Sequence, residues 1–212
     1  ALSFINYSQY SVVVLLVQQM QPVWAILFAA LLLKEKIHKK FLFWASIALV
    51  SSYFVSFKDM TINLDTGRGT LYAALLALAA GFMWGSTTAF SKYVLNKVSF
   101  LTATVLRFFM APFFAFAIIL LRNNTQSMLS MSSSQWTTLV AITLSTGMVA
   151  LLFYYYGLKK TTAKVGAICE LVWPASAVAI DYFYYHKTLS LTQVLGVMVL
   201  LYAIYKVTHL KK

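Results

Sequence analysis

Residues 163–183 read AKVGAICELVWPASAVAIDYF. Apart from Lys164 near its start, the segment is apolar over about 20 residues, the length an α-helix needs to cross the hydrocarbon core of a bilayer. Yet Glu170 and Asp181 stand inside it. A carboxylate in hydrocarbon costs about 2.5–3.5 kcal/mol on insertion scales, so intramembrane acids usually face a bundle interior or water. At 100° per residue the two acids differ by about 20° around the helix, and Pro174 and Ala177 share their face. Pro174 has no N–H and so frees the carbonyl of Glu170, four residues earlier. An acid, a kink and a small residue on one stripe suit the wall of a polar cavity. The alternative is an acid paired for structure. Asp181 lies about 16 Å further along, where a solvated end-of-helix acid is expected.

The whole chain has the same character. Of its 212 residues 61% are hydrophobic and only 10% charged, with sixteen Phe and thirteen Tyr, and its mean hydropathy is +0.77. A soluble domain carries about 25% charged residues, so the chain is expected to be an all-α polytopic membrane protein. Seven runs are long and apolar enough to span: about 11–33, 41–57, 70–91, 100–121, 136–158, 163–186 and 190–206. Residues 1–9 read as the tail of a further helix, a stub in a chain that opens without Met or a charged leader. The expectation is a chain truncated at its N-terminus.

The net charge of +12 would suit nucleic acid in a soluble protein, but the basic residues fall in short connections, where they set topology. Lys34, Lys36, Lys39, Lys40, Lys92, Lys97, Lys159, Lys160, Lys164, Lys206, Lys211 and Lys212 lie on one side; Lys58, Arg68, Arg122 and Lys187 lie on the other. Cytoplasmic loops carry the excess of Lys and Arg, which places the C-terminus in the cytoplasm. Cys169 is the single cysteine, so no internal disulfide or thiolate metal site can form. His38, His186 and His209 sit at run ends, not at ligand spacing. No metal or cofactor is expected.

The chain also repeats itself. A shift of 152 residues places Pro22 on Pro174, Gln18 on Glu170 and EKI (35–37) on KTL (187–189). An odd number of helices per unit would invert the second copy, and inverted repeats are a common transporter plan, with the substrate site between the halves.

Together, GRGTLYAALLALAAGFMWGSTTAFSKYVL (67–95), with its Trp-Gly and following Lys, TVLRFFMAPF (104–113), with Arg107, and YYYGLKKTTAKVGAICELVWPASAVAIDYF (154–183) resemble the drug/metabolite transporter superfamily, specifically its EamA branch. ALSFINYSQYSVVVLLVQQMQPVWAILFAALLLKEKI (1–37) resembles the matching junction of a first repeat. The resemblance implies two inverted five-helix repeats. Residues 1–57 would end the first repeat (the tail of helix three, then helices four and five), 58–69 would be the linker, and 70–212 would be the second repeat. It also implies a multi-pass protein of the plasma (inner) membrane and leaves a homodimer open. Two positions depart from the pattern. Trp44 stands where a small residue is expected, its repeat mate being Gly196, and Lys187 stands where the first repeat has Glu35.

The candidate substrate-binding residues are Glu170, Gln18, Gln21, Trp84 and Tyr155. Gln18 is the repeat mate of Glu170; the two glutamines would line a cavity or hydrogen-bond helices together. Trp84, flanked by Gly81 and Gly85, would wall the cavity or pack. Tyr155 belongs to a run of three tyrosines at the inner interface. Arg107 lies as deep in its helix as Glu170 does, and would either pair with that acid or snorkel to the headgroups.

These features favour a secondary carrier of small organic solutes such as amino acids or amines, working by alternating access, with export as one direction left open. One membrane acid and few membrane cations disfavour a phosphorylated solute. A non-transporting receptor or scaffold of the same fold is the alternative. A membrane enzyme is disfavoured, since no HExxH or Ser/His pairing lies at mid-membrane depth. The partners expected are a small-molecule substrate and lipid, with no nucleic acid.

Overall fold

The computed structural model describes residues 10–56, 70–121, 131–186 and 188–210, the side chains of 10–19 and 70–73 excepted. The expected stub (1–9) and linker (58–69) lie outside the described residues. Among those described, the chain is helical with no strand, in seven helices. These are α1 (Tyr10–Leu32), α2 (Lys39–Ser56), α3 (Thr70–Leu95), α4 (Phe100–Leu121), α5 (Ser133–Lys160), α6 (Ala163–Phe183) and α7 (Leu191–His209). Helix is the expected answer to lipid, where every backbone N–H and C=O must be satisfied within its own span.

Among the described residues five helices are long and apolar enough to cross a membrane, namely α4 to α7 and the Ala74–Leu95 part of α3. In α1 the apolar stretch with described side chains is Met20–Leu32. The expectation of seven full spans is met less clearly by α2, whose 18 residues open on Lys39 and Lys40 and include Ser46, Ser51, Ser52 and Ser56. The protein is a multi-pass integral membrane protein.

The chain divides into two units, Ala1–Phe90 with Thr162–Lys212, and Ser91–Thr161. The first is built on α2 packed side by side with α7. Phe41, Ala45, Ala48 and Val55 of α2 and Leu200, Ala203 and Val207 of α7 share a core with Ile168, Leu171, Ala175 and Val178 of α6. Gly196 lets α7 lie close against α2: a Cβ there would lie 3.1–3.3 Å from Val55 and Phe54. Trp44, its mate in the 152-residue shift, instead meets Tyr202 edge to face at 5.6 Å. Gln193 Nε2 donates to the carbonyl of Val55 at 3.3 Å.

The described residues contain two positive-φ positions that are not glycine, Lys34 (φ 55°) and His186 (φ 53°). They are 152 positions apart. Lys34 follows α1 and His186 follows α6, and each turns the chain toward the next helix. α2 and α7 likewise begin 152 positions apart, at Lys39 and Leu191.

In the second unit Leu95 of α3, Ala103 of α4 and Tyr155 and Leu158 of α5 form a small core. Lys92 Nζ donates to the carbonyls of Leu158 and Lys159 at 3.0 and 2.9 Å, satisfying the C-terminal carbonyls of α5 where a cation is favoured. α5 is α-helical over Ser133–Ile142 and Ala150–Lys160, with a π-helical turn over Thr143–Val149. Most side chains of α4, among them Phe109, Phe113, Phe114 and Leu121, are apolar and exposed, as a lipid-facing surface requires.

Candidate functional site

α6 is not continuous. Its first segment is Ala163–Cys169, Glu170 and Leu171 form a turn, and the second segment is Val172–Phe183. The cause is in the sequence. Pro174 cannot donate to Glu170 four residues back, and the Glu170 carbonyl accepts instead from the Trp173 N–H at 3.1 Å. The shorter loop tightens the turn: ψ falls to −22° at Glu170 and −6° at Leu171.

The Glu170 side chain is half-buried and held from two other helices. Oε2 accepts from Gln21 Nε2 of α1. Oε1 accepts from Thr88 Oγ1 of α3 at 3.0 Å. Three helices that are far apart in sequence therefore meet at one carboxylate. Hydrogen bonds to an ionised group contribute about 1.5–3 kcal/mol each, which is the scale of the insertion cost.

Gly85 lets α1 come this close. A Cβ at Gly85 would strike the carbonyl oxygen of Gln21 and lie 2.8 Å from Trp24 Cβ. Thr88 follows three residues later on the same helix and is 2% exposed. One turn beyond Gln21, the Trp24 ring meets Phe82 edge to face at 5.2 Å, and Phe28 meets Phe82 at 5.5 Å. The Trp24 indole N–H is buried without a hydrogen-bond partner. The carboxylate, amide and hydroxyl thus have an aromatic group along one side of α1.

The other sequence candidates are placed as follows. Gln18 lies on α1 one turn before Gln21, its side chain outside the described residues. Trp84 is 61% exposed and makes none of the hydrogen bonds at Glu170. Tyr155, in the second unit, is 4% exposed. Its hydroxyl accepts from Arg107 Nη1 at 3.1 Å and lies 3.2 Å from Ser91 Oγ. Gln21 and Glu170 are therefore brought together, and so are Arg107 and Tyr155. Among the described residues no group of three His, Cys, Asp or Glu could hold a metal ion.

Sequence reasoning missed Thr88. Its signal was the spacing Gly81, Gly85, Thr88, a small-residue stripe carrying one hydroxyl. The glycines drew attention to Trp84, the large residue between them, rather than to the helix that they admit.

Residues 71–208 match the EamA-like transporter family. The chain is 37% identical over 210 residues to riboflavin transporter ImpX of Fusobacterium nucleatum, covering 99% of this chain and 70% of that protein. It is 28% identical over 203 residues to the uncharacterized transporter sll1164 of Synechocystis, covering 89% of this chain and 55% of that protein. The chain belongs to the EamA-like transporter family.

Proposed function

We propose that the protein acts as a secondary carrier that moves a small organic solute by alternating access, and that the solute is riboflavin or a close flavin relative. The observation that carries the reading is the meeting of Gln21, Thr88 and Glu170 at the break in α6. A carboxylate held by an amide and a hydroxyl, rather than buried in a fixed apolar core, is a group that can exchange partners with a solute. Discontinuous helices commonly form transporter binding sites near the bilayer midplane.

The inverted arrangement of two five-helix repeats is supported by Lys34 and His186, whose left-handed turns are 152 positions apart, and by the matching starts of α2 and α7. The C-terminus is assigned to the cytoplasmic side of a plasma membrane on the Lys and Arg distribution.

The flavin assignment rests on the similarity to a riboflavin transporter. The site chemistry is compatible with it. A flavin is an uncharged aromatic ring with an imide edge and a polyhydroxylated tail. Its N–H and hydroxyl groups suit the Glu170 carboxylate, its carbonyls suit the Gln21 amide, and its ring suits the aromatic group of Trp24, Phe28 and Phe82. This moves the solute class away from the amines and amino acids that a lone acid suggests.

The test is uptake by the full-length protein in proteoliposomes. Riboflavin should accumulate, and unlabelled riboflavin should compete better than amines or amino acids. Uptake of an amine but not of riboflavin would overturn the flavin assignment. Riboflavin binding without any flux would overturn the carrier reading in favour of a receptor.

A further inference from the structure

The N-terminus of α6 is capped from another part of the chain. A helix start leaves four N–H groups without intrahelical acceptors, and a Ser or Thr at the N-cap ordinarily serves one of them. Thr162 has the right side chain and an extended N-cap backbone (φ −81°, ψ 154°), and its carbonyl accepts from the Gly166 N–H at 3.0 Å. Its side chain, however, makes no cap bond. The Thr162 hydroxyl oxygen is instead buried without a partner.

Glu35, in the turn between α1 and α2, has taken over. Its Oε1 accepts from the Ala163 N–H at 2.7 Å and its Oε2 from the Lys164 N–H at 3.1 Å. The left-handed Lys34 directs the turn, and the Glu35 N–H donates to the Ala29 carbonyl at 3.1 Å, tying the turn to the end of α1. Lys164 Nζ reaches back to the Lys36 carbonyl at 2.5 Å and completes the clasp.

We propose that Glu35 and Thr162 are alternative caps of α6, and that exchange between them opens and closes the transport path at this end of the protein. In the clasped state Glu35 serves the helix and the Thr162 hydroxyl is left unsatisfied, which costs free energy. In the released state Thr162 rotates to accept from the Lys164 N–H that Glu35 has given up, and the Glu35 carboxylate is hydrated. Neither state leaves the helix start bare, so passing between them does not require α6 to fray, which suits a two-state element. The segment Ala163–Cys169 runs without a break from the clasp to Glu170, so release at Glu35 is transmitted to the site. The inference rests on the alternating-access reading and not on the identity of the solute.

Cys169, beside Glu170 and half-buried, reports the exchange without any solute. The full-length protein, with any other cysteine replaced by serine, is reconstituted and treated with an impermeant maleimide at each face. A parallel Lys36→Cys protein marks the face of the clasp. Glu35→Gln weakens the clasp and should speed Cys169 labelling from that face at least threefold. Thr162→Val removes the alternative cap and should slow it at least threefold. Thr162→Ser, which keeps the hydroxyl, should stay within twofold of the parent. If Glu35→Gln does not accumulate, Glu35→Asp, which keeps the charge but shortens the reach, should give the same increase. Shifts of the same sign for Glu35 and Thr162 variants, or no shift in either, would overturn the proposal. Because labelling needs no solute, absence of riboflavin uptake bears on the flavin assignment and leaves this result intact.

Discussion

Pro174 and Glu170 are joined by an absence: the proline has no N–H for the Glu170 carbonyl, which turns to the Trp173 N–H at 3.1 Å. The bend that brings the acid to Gln21 and Thr88 is thus written four residues away from it. Pro174→Ala restores the missing donor. A proline in a helix interior costs about 3 kcal/mol or more, so the variant should be at least as heat-stable as the parent. Its transport should nevertheless fall by about tenfold, equivalent to about 1.4 kcal/mol of barrier, because a straightened α6 carries Glu170 away from its partners. Melting temperature and initial uptake rate, measured together, check this; a faster and less stable variant would refute it.

Glu170→Gln keeps size and hydrogen-bonding capacity but removes the charge. Uptake should drop by about a hundredfold, about 2.7 kcal/mol, while the protein still folds. Full uptake by a stable Glu170→Gln protein would remove Glu170 from the transport step.

Thr88→Val deletes one donor to the carboxylate and little volume. A hydrogen bond to a charged group contributes about 1.5–3 kcal/mol, and a loss of that order in unfolding free energy is expected, with weaker riboflavin binding. Equal stability and equal affinity in calorimetry would show that the 3.0 Å bond to Glu170 has no consequence.

Gly85→Ala tests the crossing of α1 and α3. Overpacking of this kind costs about 1–3 kcal/mol, because the new methyl meets backbone of Gln21 rather than a side chain that can swing away. Gly157→Ala is the control, since a Cβ there meets nothing within 4 Å. Denaturation of the two variants side by side should separate them; an unaffected Gly85→Ala protein would contradict the close approach.

Topology can be read from two histidines. His38 precedes α2 and His186 follows α6, and the Lys and Arg distribution assigns them to opposite faces. In intact cells an impermeant thiol reagent should label His186→Cys and spare His38→Cys. The reverse pattern would invert the assigned orientation.

Much of the scaffold was legible because lipid imposes one rule on every span. The run expected over 100–121 coincides with α4, and the run expected from 163 opens α6 where it should. Boundaries went astray where capping chemistry, not hydropathy, sets them. α5 begins at Ser133 rather than near 136 because Ser132 and Gln135 form a reciprocal capping box. α6 stops at Phe183 although the apolar character runs on through Tyr184 and Tyr185, since His186 takes a left-handed turn. At the site, Glu170 and Pro174 announced themselves by type and spacing. Thr88 did not, because a hydroxyl gains its role only from the helix opposite. Nor did the π-helical turn at Thr143–Val149, where no proline or glycine pair marks the place in advance.

The unit formed by Ala1–Phe90 and Thr162–Lys212 is interrupted by the other in sequence, and this has a consequence for biogenesis. Gln193 and the Val55 carbonyl that it meets are 138 residues apart. A ribosome adding about 5–20 residues per second leaves α2 in the bilayer for roughly 7–28 s before that glutamine is made. In that interval the small-residue face of α2, with Ala45, Ala48, Ser51 and Ser52, has no α7 to meet. Ser91–Thr161 is contiguous and can settle as it emerges. A face of small and hydroxyl residues waiting in the membrane is what an insertion chaperone or a membrane protease can recognise, so nascent chains stalled before Gly196 should be short-lived, and those released after Val207 should persist.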